Sequence, residues 1–314
     1  MRPLARPAVV AVLLAAVGLG PLALGSFRAG QFGYVAVYLI AIAGLNILTG
    51  YTGQISLGHG AFMAIGGYTT AILAVDHGVG LLWTVPIAGL VAGAAGLAFG
   101  VPALRLSGLY LALATFGIAV ATPAVLKWDK VDQYTGGSVG KNLPLRSNDW
   151  LYYTDWIVAV ILLAAAWLLL RGKVGRAFRA VRDSEVAAAS SGISLAVYKT
   201  VAFGVSALYA GVAGSLLAIT AAYASPETYP IDLSLFIVVG AVTAGLGSLW
   251  GLVFGAALIE FLRTGDIEHW LHVPSSVPAD VFFGAVLIAV MILLPSGAAG
   301  LLRRIELPTS RMRR

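Results

Sequence analysis

Long apolar runs, separated by short stretches with charge, glycine or proline, make up most of the chain. A bilayer core of about 30 Å requires about 20 apolar helical residues, and ten runs come near that length. The pattern therefore predicts an all-α integral membrane protein with about ten transmembrane helices. The runs are 7–25, 31–49, 57–75, 81–101, 108–127, 155–170, 200–222, 232–247, 249–264 and 280–301.

Three of these runs have alternative interpretations. The first follows Arg2 and Arg6 and has features of a secretory signal peptide, so its retention in the mature protein stays open. The eighth and ninth runs are shorter than a full span and meet at the glycine-rich segment 245–251. They are either two crossings or a broken, re-entrant pair.

The basic residues between the runs predict the orientation. Cytoplasmic loops of membrane proteins carry the excess of Lys and Arg, and 14 of the 20 fall on one side if all ten runs cross. Both termini are therefore predicted to be cytoplasmic, the loop 128–154 extracytoplasmic and the loop 171–199 cytoplasmic. The 14 residues are Arg2, Arg6, Arg105, Arg171, Lys173, Arg176, Arg179, Arg182, Lys199, Arg303, Arg304, Arg311, Arg313 and Arg314.

Composition agrees with a lipid environment. The chain is 59% hydrophobic and 11% charged, with a mean hydropathy of +0.91, which sets it outside the soluble class. Its 38 glycines favour close helix packing in a membrane. The absence of cysteine excludes disulfides and thiolate sites. The net charge of +6 lies in short loops, so no nucleic-acid partner is predicted, and the residues 1–314 are treated as one transmembrane domain.

Polar residues inside the apolar runs are few, and each must find a partner or line a cavity. The densest group lies at 44–62, where glycines interrupt the run and allow a helix to bend or unwind. For each residue singly, the alternative is a hydrogen bond between helices. The candidate translocation-path residues are Asn46, Gln54, Ser56, His59 and, in a later segment, Thr115.

A short internal similarity points to a repeat. The segment Ser56-Leu57-Gly58 is similar to Ser248-Leu249-Trp250-Gly251, and both follow glycine-rich turns. Interrupted helices at corresponding places in two halves of a chain are typical of inverted repeats around a transport pathway. No acid, base and nucleophile set converges at membrane depth, so neither an enzyme, a cofactor nor a metal site is predicted.

The loop 171–199 carries the second group of candidate residues. Arg176, Arg179 and Arg182 recur every three residues with apolar residues between them, which predicts a short amphipathic helix. A turn at 190–192 and a second short element at 193–198 are expected to follow. Glu185, Ala188 and Gly192 combine a carboxylate, small residues and a glycine turn, as helix docking into a partner's groove requires. A plain positive-inside anchor is the alternative.

Five segments, found in order between residues 40 and 300, resemble the permease family of branched-chain amino-acid ABC importers. They are 45–62, 105–115, 135–138, 175–188 and 245–251. The resemblance implies the second of two permease types, a fold like that of type II importers, and a bacterial inner-membrane location. It also implies a second related permease, two cytoplasmic ATPases, an extracytoplasmic solute-binding protein, and coupling through the loop 171–199.

One departure and several alternatives stay open at this stage. Coupling loops of such importers generally have Glu-Ala-Ala with Gly six residues after the Glu, whereas here Val186 intervenes and Gly192 comes seven after Glu185. The expected cargo is leucine, isoleucine and valine, with urea, amides or other amino acids as alternatives. A stand-alone, ion-coupled transporter is the rival class, and Glu260 is its candidate buried carboxylate.

Overall fold

The computed structural model describes residues 25–106 and 108–264, with the isolated positions 284, 288, 292, 297, 298 and 300. The predicted first run, the question of its retention and most of the predicted run 280–301 fall outside these residues. The orientation of the two termini falls outside them as well.

The described part of the chain is mostly helical. Five helical spans in it are long and apolar enough to cross a membrane, namely Arg28–Tyr51, Leu81–Ala103, Leu109–Leu126, Asn148–Arg171 and Leu195–Ala221. They match five of the predicted runs, so the prediction of a multi-pass helical membrane protein is confirmed, whereas a total of about ten crossings stays a prediction. The helices are α1 (Ser26–Leu45), α2 (His59–Ala71), α3 (Leu81–Ala103), α4 (Leu109–Leu126), α5 (Asp129–Thr135), α6 (Asn148–Arg171), α7 (Lys173–Asp183), α8 (Glu185–Ser190), α9 (Leu195–Ala221), α10 (Ile231–Ala244) and α11 (Leu252–Arg263).

Helix α9 lies at the centre of the bundle and packs closely on α3 and α2. Glycines recur every three or four residues along the face of α3 that meets α9, at Gly89, Gly93, Gly96 and Gly100. A Cβ atom at Gly89 would lie 2.7 Å from the side chain of Val212. Only a small residue allows two helix backbones to approach so closely, as the glycine content predicted.

The predicted runs 232–247 and 249–264 form two short helices. Helix α10 has 14 residues and α11 has 12, fewer than the roughly 20 that a perpendicular crossing requires. Between them, Gly245 and Gly247 have φ angles of 98° and 78°, which only glycine adopts readily. The structure therefore places a glycine turn between two short helices, and the choice between two crossings and a re-entrant pair stays a prediction.

Helix α6 begins earlier than predicted, at Asn148 rather than at 155. Ser147 caps it, because its hydroxyl accepts a hydrogen bond from the backbone N–H of Trp150 at 3.4 Å. The predicted loop 128–154 therefore ends at 147 and contains α5 and the strand β1 (Lys141–Asn142). Its last aromatic residues, among them Tyr152, lie on the first turns of α6 instead.

The segments that connect the helices lie at two ends of the bundle. At one end, strand β1 pairs with the strand β2 (Tyr223–Ala224), and Lys141 forms an ion pair with Asp76 at 2.5 Å. We call this the strand end; it comprises 76–80, 127–147 and 222–230. At the loop end, α7 lies beside the segments 52–58 and 245–251, because its Arg182 is close to both Gly53 and Gly247.

Candidate functional site

The first helix break follows α1. The chain continues from α1 as a π-helix, Asn46–Tyr51, and regular helix resumes only at His59. Gly53 has a φ angle of 74°, and the N–H groups of Gly53 and Gln54 bond back to the carbonyls of Thr49 and Leu48, each at 3.2 Å. The left-handed glycine therefore ends the helix, as at many helix C-termini.

Asn46 joins this break to the second break at 245–251. Its Nδ2 donates to the carbonyl of Ser248 at 2.8 Å, and its Oδ1 accepts from the N–H of Gly247 at 2.8 Å. Asn46 is fully buried. Its amide therefore hydrogen-bonds two backbone groups at the break that water would otherwise satisfy. At Gly50, a methyl group would overlap Asn46 Oδ1 and Gly247 N, so the two breaks are in direct contact.

Arg182, in the last turn of α7, contacts the same junction. Its Nη1 donates to the carbonyl of Gly50 at 3.0 Å, and a Cβ at Gly53 would lie 3.2 Å from its Cγ. The carbonyls of the last helical turn have no partner within their own helix, and a cation there is also favoured by the helix dipole. Arg182 therefore caps the end of the first break while it belongs to the loop 171–199.

A second contact links the loop to the first break. Gln54 Nε2 donates to the hydroxyl of Thr52 at 3.1 Å and to the carbonyl of Lys199 at 3.4 Å. The ammonium group of Lys199 in turn pairs with the carboxylate of Glu185 at 2.6 Å. Glu185 is thus held against the beginning of α9.

Three further path candidates meet just beyond the first break. Thr115 Oγ1 accepts from the N–H of Leu57 at 2.9 Å, and Ser56 Oγ accepts from the N–H of Gly58 at 3.4 Å. His59 is 1% exposed, and its Nε2 has no partner among the described residues.

The structure brings all five predicted path residues to one region of the bundle, and it buries each of them. None is more than 8% exposed. In this conformation they are enclosed by protein, and the contacts of Asn46, Gln54, Ser56 and Thr115 are hydrogen bonds within the chain. Their part in a translocation path stays a proposal.

The predicted amphipathic helix is observed as α7, whose apolar side buries Ala177, Phe178 and Val181. Its three arginines face different surroundings. Arg176 is exposed, whereas Arg179 donates to the carbonyl of Leu170 at the end of α6 at 3.2 Å, and Arg182 reaches the breaks as described above.

The rest of the loop follows the prediction in part. The turn at 190–192 is present, with Gly192 at a φ angle of 80° and Ala188 buried. The second short element predicted at 193–198 is wrong, because the helix that begins at Leu195 continues to Ala221 as α9. Val186 is 82% exposed, so the short helix α8 presents an apolar side chain to solvent.

Sequence reasoning missed one buried carboxylate. Asp155 is 1% exposed; its Oδ2 accepts from the hydroxyl of Thr220 at 3.0 Å, and its Oδ1 has no partner among the described residues. The predicted run began at Asp155, which placed this carboxylate at the end of the span, whereas the helix begins at Asn148. The cap sequence Ser147-Asn148-Asp149 and the spacing of Leu151, Asp155 and Ala159 along one helix face could have identified it.

Glu260, the carboxylate that was recognised, is also buried, at 3% exposure on α11. Within the described part of the chain, no three His, Asp or Glu residues lie close enough to hold a metal ion. The buried carboxylates are thus separate groups on α6 and α11.

Residues 29–292 match the sequence profile of a family described as the branched-chain amino acid transport system / permease component. The chain is 32% identical over 297 residues to the high-affinity branched-chain amino acid transport system permease protein LivM of Escherichia coli K12, covering 83% of this chain and 67% of that protein. The ribose import permease protein RbsC of the same organism is 28% identical over 142 residues, 44% of each chain. The autoinducer 2 import system permease protein LsrC of Klebsiella pneumoniae is 32% identical over 143 residues, 44% of this chain and 41% of that protein. No solved structure matches significantly.

Proposed function

The chain belongs to the permease-component family of branched-chain amino acid transport systems, and from that premise we propose that it is the membrane-spanning subunit of an ATP-driven importer. Its relatives are transport permeases rather than enzymes. In this proposal the chain and a second, related permease form the path for leucine, isoleucine and valine. ATP is hydrolysed by separate cytoplasmic subunits, and an extracytoplasmic binding protein delivers the solute.

The observation that carries the proposal is the contact between Arg182 and the carbonyl of Gly50. A permease that hydrolyses no nucleotide must receive movement from its ATPases through a cytoplasmic surface. The loop 171–199 is the proposed surface, and Arg182 joins it to the place where two membrane helices are interrupted. Movement of α7 would therefore act directly on both breaks.

Docking is assigned to the exposed side of this loop. Arg176, Glu185 and Val186 are exposed, whereas Ala188 is buried beneath them. An exposed apolar side chain flanked by charges suits a groove on a partner protein. The additional residue Val186, which departs from the usual spacing, would then be a contact residue, and Gly192 would provide the turn that ends the docking element.

The arrangement of the two ends supports the proposed topology. The segments 52–58 and 245–251 share one end with the loop 171–199, and the segment 127–147 shares the opposite end with β2. We assign the loop end to the cytoplasm of the bacterial inner membrane and the strand end to the outside, with about ten crossings and both termini inside. The Asn46 bridge holds both breaks at the loop end, so the inverted repeat stays a prediction from the sequence alone.

One observation favours a rival function. Asp155 and Glu260 are buried carboxylates, and such groups carry protons or ions in secondary transporters. The same carboxylates are compatible with an ATP-driven permease. Reconstitution separates the two functions.

The test uses proteoliposomes that contain the complex co-purified with this chain, with ATP inside and leucine-loaded binding protein outside. The proposal predicts leucine uptake that requires ATP hydrolysis and stops with a non-hydrolysable analogue. Urea, an amide and ribose serve as alternative solutes, each with its own binding protein. Leucine uptake by this chain alone, driven by an ion gradient without ATPases, would overturn the proposal.

A further inference from the structure

Two buried polar groups beside the first break have no hydrogen-bond partner among the described residues. They are the Nε2 atom of His59, at the beginning of α2, and the hydroxyl of Ser206, in the middle of α9. Each of the two residues is 1% exposed. Buried polar groups in folded proteins nearly always have a hydrogen-bond partner, and one without a partner costs about 1–3 kcal/mol. Two such groups in one place are therefore expected only where a ligand or another state of the protein satisfies them.

Both residues lie against the same point of α1. A Cβ atom at Gly44 would lie 3.3 Å from His59 Nε2 and 2.9 Å from the carbonyl oxygen of Ser206. Gly44 is two residues before Asn46, whose amide joins the two breaks, and α9 is the central helix of the bundle. His59 and Ser206 therefore meet where α1, α2 and α9 come together, directly beside the first break.

The availability of these two groups distinguishes them from the rest of the predicted path. The other four path residues form hydrogen bonds within the chain, and those bonds would have to break before a solute could use the same groups. A polar solute that crosses the membrane loses water and needs hydrogen-bonding groups from the protein instead. The Nε2 of His59 and the hydroxyl of Ser206 are free to provide them.

The chemistry of the pair fits one end of an amino acid. An imidazole nitrogen and a hydroxyl can each donate or accept a hydrogen bond. They therefore suit the ammonium and carboxylate groups of an amino acid, and they offer nothing to its aliphatic side chain.

We propose that His59 and Ser206 hydrogen-bond the polar end of the transported amino acid as it passes the first break. In the described conformation α1, α2 and α9 enclose both groups. Movement of the first break, which Arg182 joins to the loop 171–199, would open them to the solute. The inference rests on the proposed function and deepens it, because it selects His59 from the five path candidates and adds Ser206, which lies outside that set.

The experiment compares two buried serines on α9, Ser206 and the matched control Ser215. The hydroxyl of Ser215 lies 2.6 Å from that of Thr70, so Ser215→Ala breaks a buried hydrogen bond and should lower the melting temperature of the complex in detergent. Ser206→Ala removes a hydroxyl that the described conformation does not use, so its melting temperature should equal or exceed that of the parent.

Transport should show the opposite order. ATP-driven leucine uptake into proteoliposomes, with saturating leucine-loaded binding protein, should fall about three- to tenfold in Ser206→Ala, the range for one uncharged hydrogen bond. Ser215→Ala should keep the uptake rate of the parent. A structural role for Ser206 would lower the melting temperature, whereas a role in binding the solute lowers only the uptake.

His59 provides a second pair of variants. His59→Gln keeps a hydrogen-bonding side chain and should retain more uptake than His59→Phe, which has none. A lower melting temperature of Ser206→Ala would show that a resident partner such as a buried water already bonds the hydroxyl, and it would overturn the inference. Uptake equal to that of the parent in both Ser206→Ala and His59→Phe would overturn it as well and would leave the proposed function intact. A parent complex without ATP-driven leucine uptake would instead refute the proposed function.

Discussion

Replacing Arg182 with glutamine removes the cation that joins the loop 171–199 to the first break. The lost interaction is a charged hydrogen bond of 3.0 Å to the carbonyl of Gly50, made by a side chain that is 38% exposed. Hydrogen bonds to charged groups contribute about 1.5–3 kcal/mol, and we take about 1–2 kcal/mol here because solvent reaches the guanidinium. The ion pair with Asp183 adds little, since that carboxylate is 67% exposed.

The contact between Arg182 and Gly50 would lose about 1–2 kcal/mol. The conformational equilibrium that this contact controls would then change by a factor of about 5–30. We therefore expect ATP-driven leucine uptake in proteoliposomes to fall by about that factor, while ATP hydrolysis by the partner subunits continues. The ratio of leucine transported to ATP hydrolysed is the readout. Arg182→Lys, which keeps the charge but loses the planar fork, should recover part of the coupling.

The matched control is Arg105→Gln. Arg105 is also an exposed arginine, and no described contact ties it to either break. It should leave the ratio unchanged. If Arg182→Gln kept the parent's ratio of leucine transported to ATP hydrolysed, in a complex that assembles normally, the coupling assigned to this contact would be refuted.

Three further predictions concern the breaks and the docking surface. Gly50→Ala should destabilise the chain by about 1–3 kcal/mol, because its methyl group would overlap Asn46 and the backbone of Gly247. A thermal-shift assay in detergent measures this loss. The control Gly117→Ala, where a Cβ would have open space, should not lower the melting temperature. Asn46→Ala should lower the melting temperature, since it leaves a buried N–H and a buried carbonyl without partners at about 1–3 kcal/mol each. A melting temperature equal to that of the parent would contradict the bridge. Val186→Glu should reduce co-purification of the ATPase subunits. The control Val139→Glu should not, because Val139 is 74% exposed at the strand end. Equal recovery of the subunits from both variants would count against docking through α8.

Local pattern was sufficient for much of the fold. Glycine and charge mark the ends of the five long spans, and the glycines at 245–251 predicted the interruption between α10 and α11. The spacing of Arg176, Arg179 and Arg182 predicted α7. These features depend on neighbours within a few turns, so the sequence displays them directly.

Long-range contacts could not be predicted in the same way. Asn46 bonds to residues about 200 positions later in the chain, and no local pattern carries the identity of such a partner. The burial of Asp155 was missed because the start of α6 was misplaced by seven residues, which put the carboxylate at the first position of the predicted run instead of two turns inside the helix. The prediction of a second short element at 193–198 was wrong because residues 195–198 form the beginning of α9.

The most direct measurement is the distance between the loop and the second break during the ATP cycle. The chain has no cysteine, so spin labels can be attached at Lys173→Cys on α7, at Trp250→Cys in the break and at Val139→Cys at the strand end, with cysteine-free partner subunits. If α7 and the breaks move as one body, the distance from 173 to 250 stays the same with and without ATP while the distance from 250 to 139 changes. A 173-to-250 distance that changes with ATP while the distance from 250 to 139 stays fixed would contradict the account.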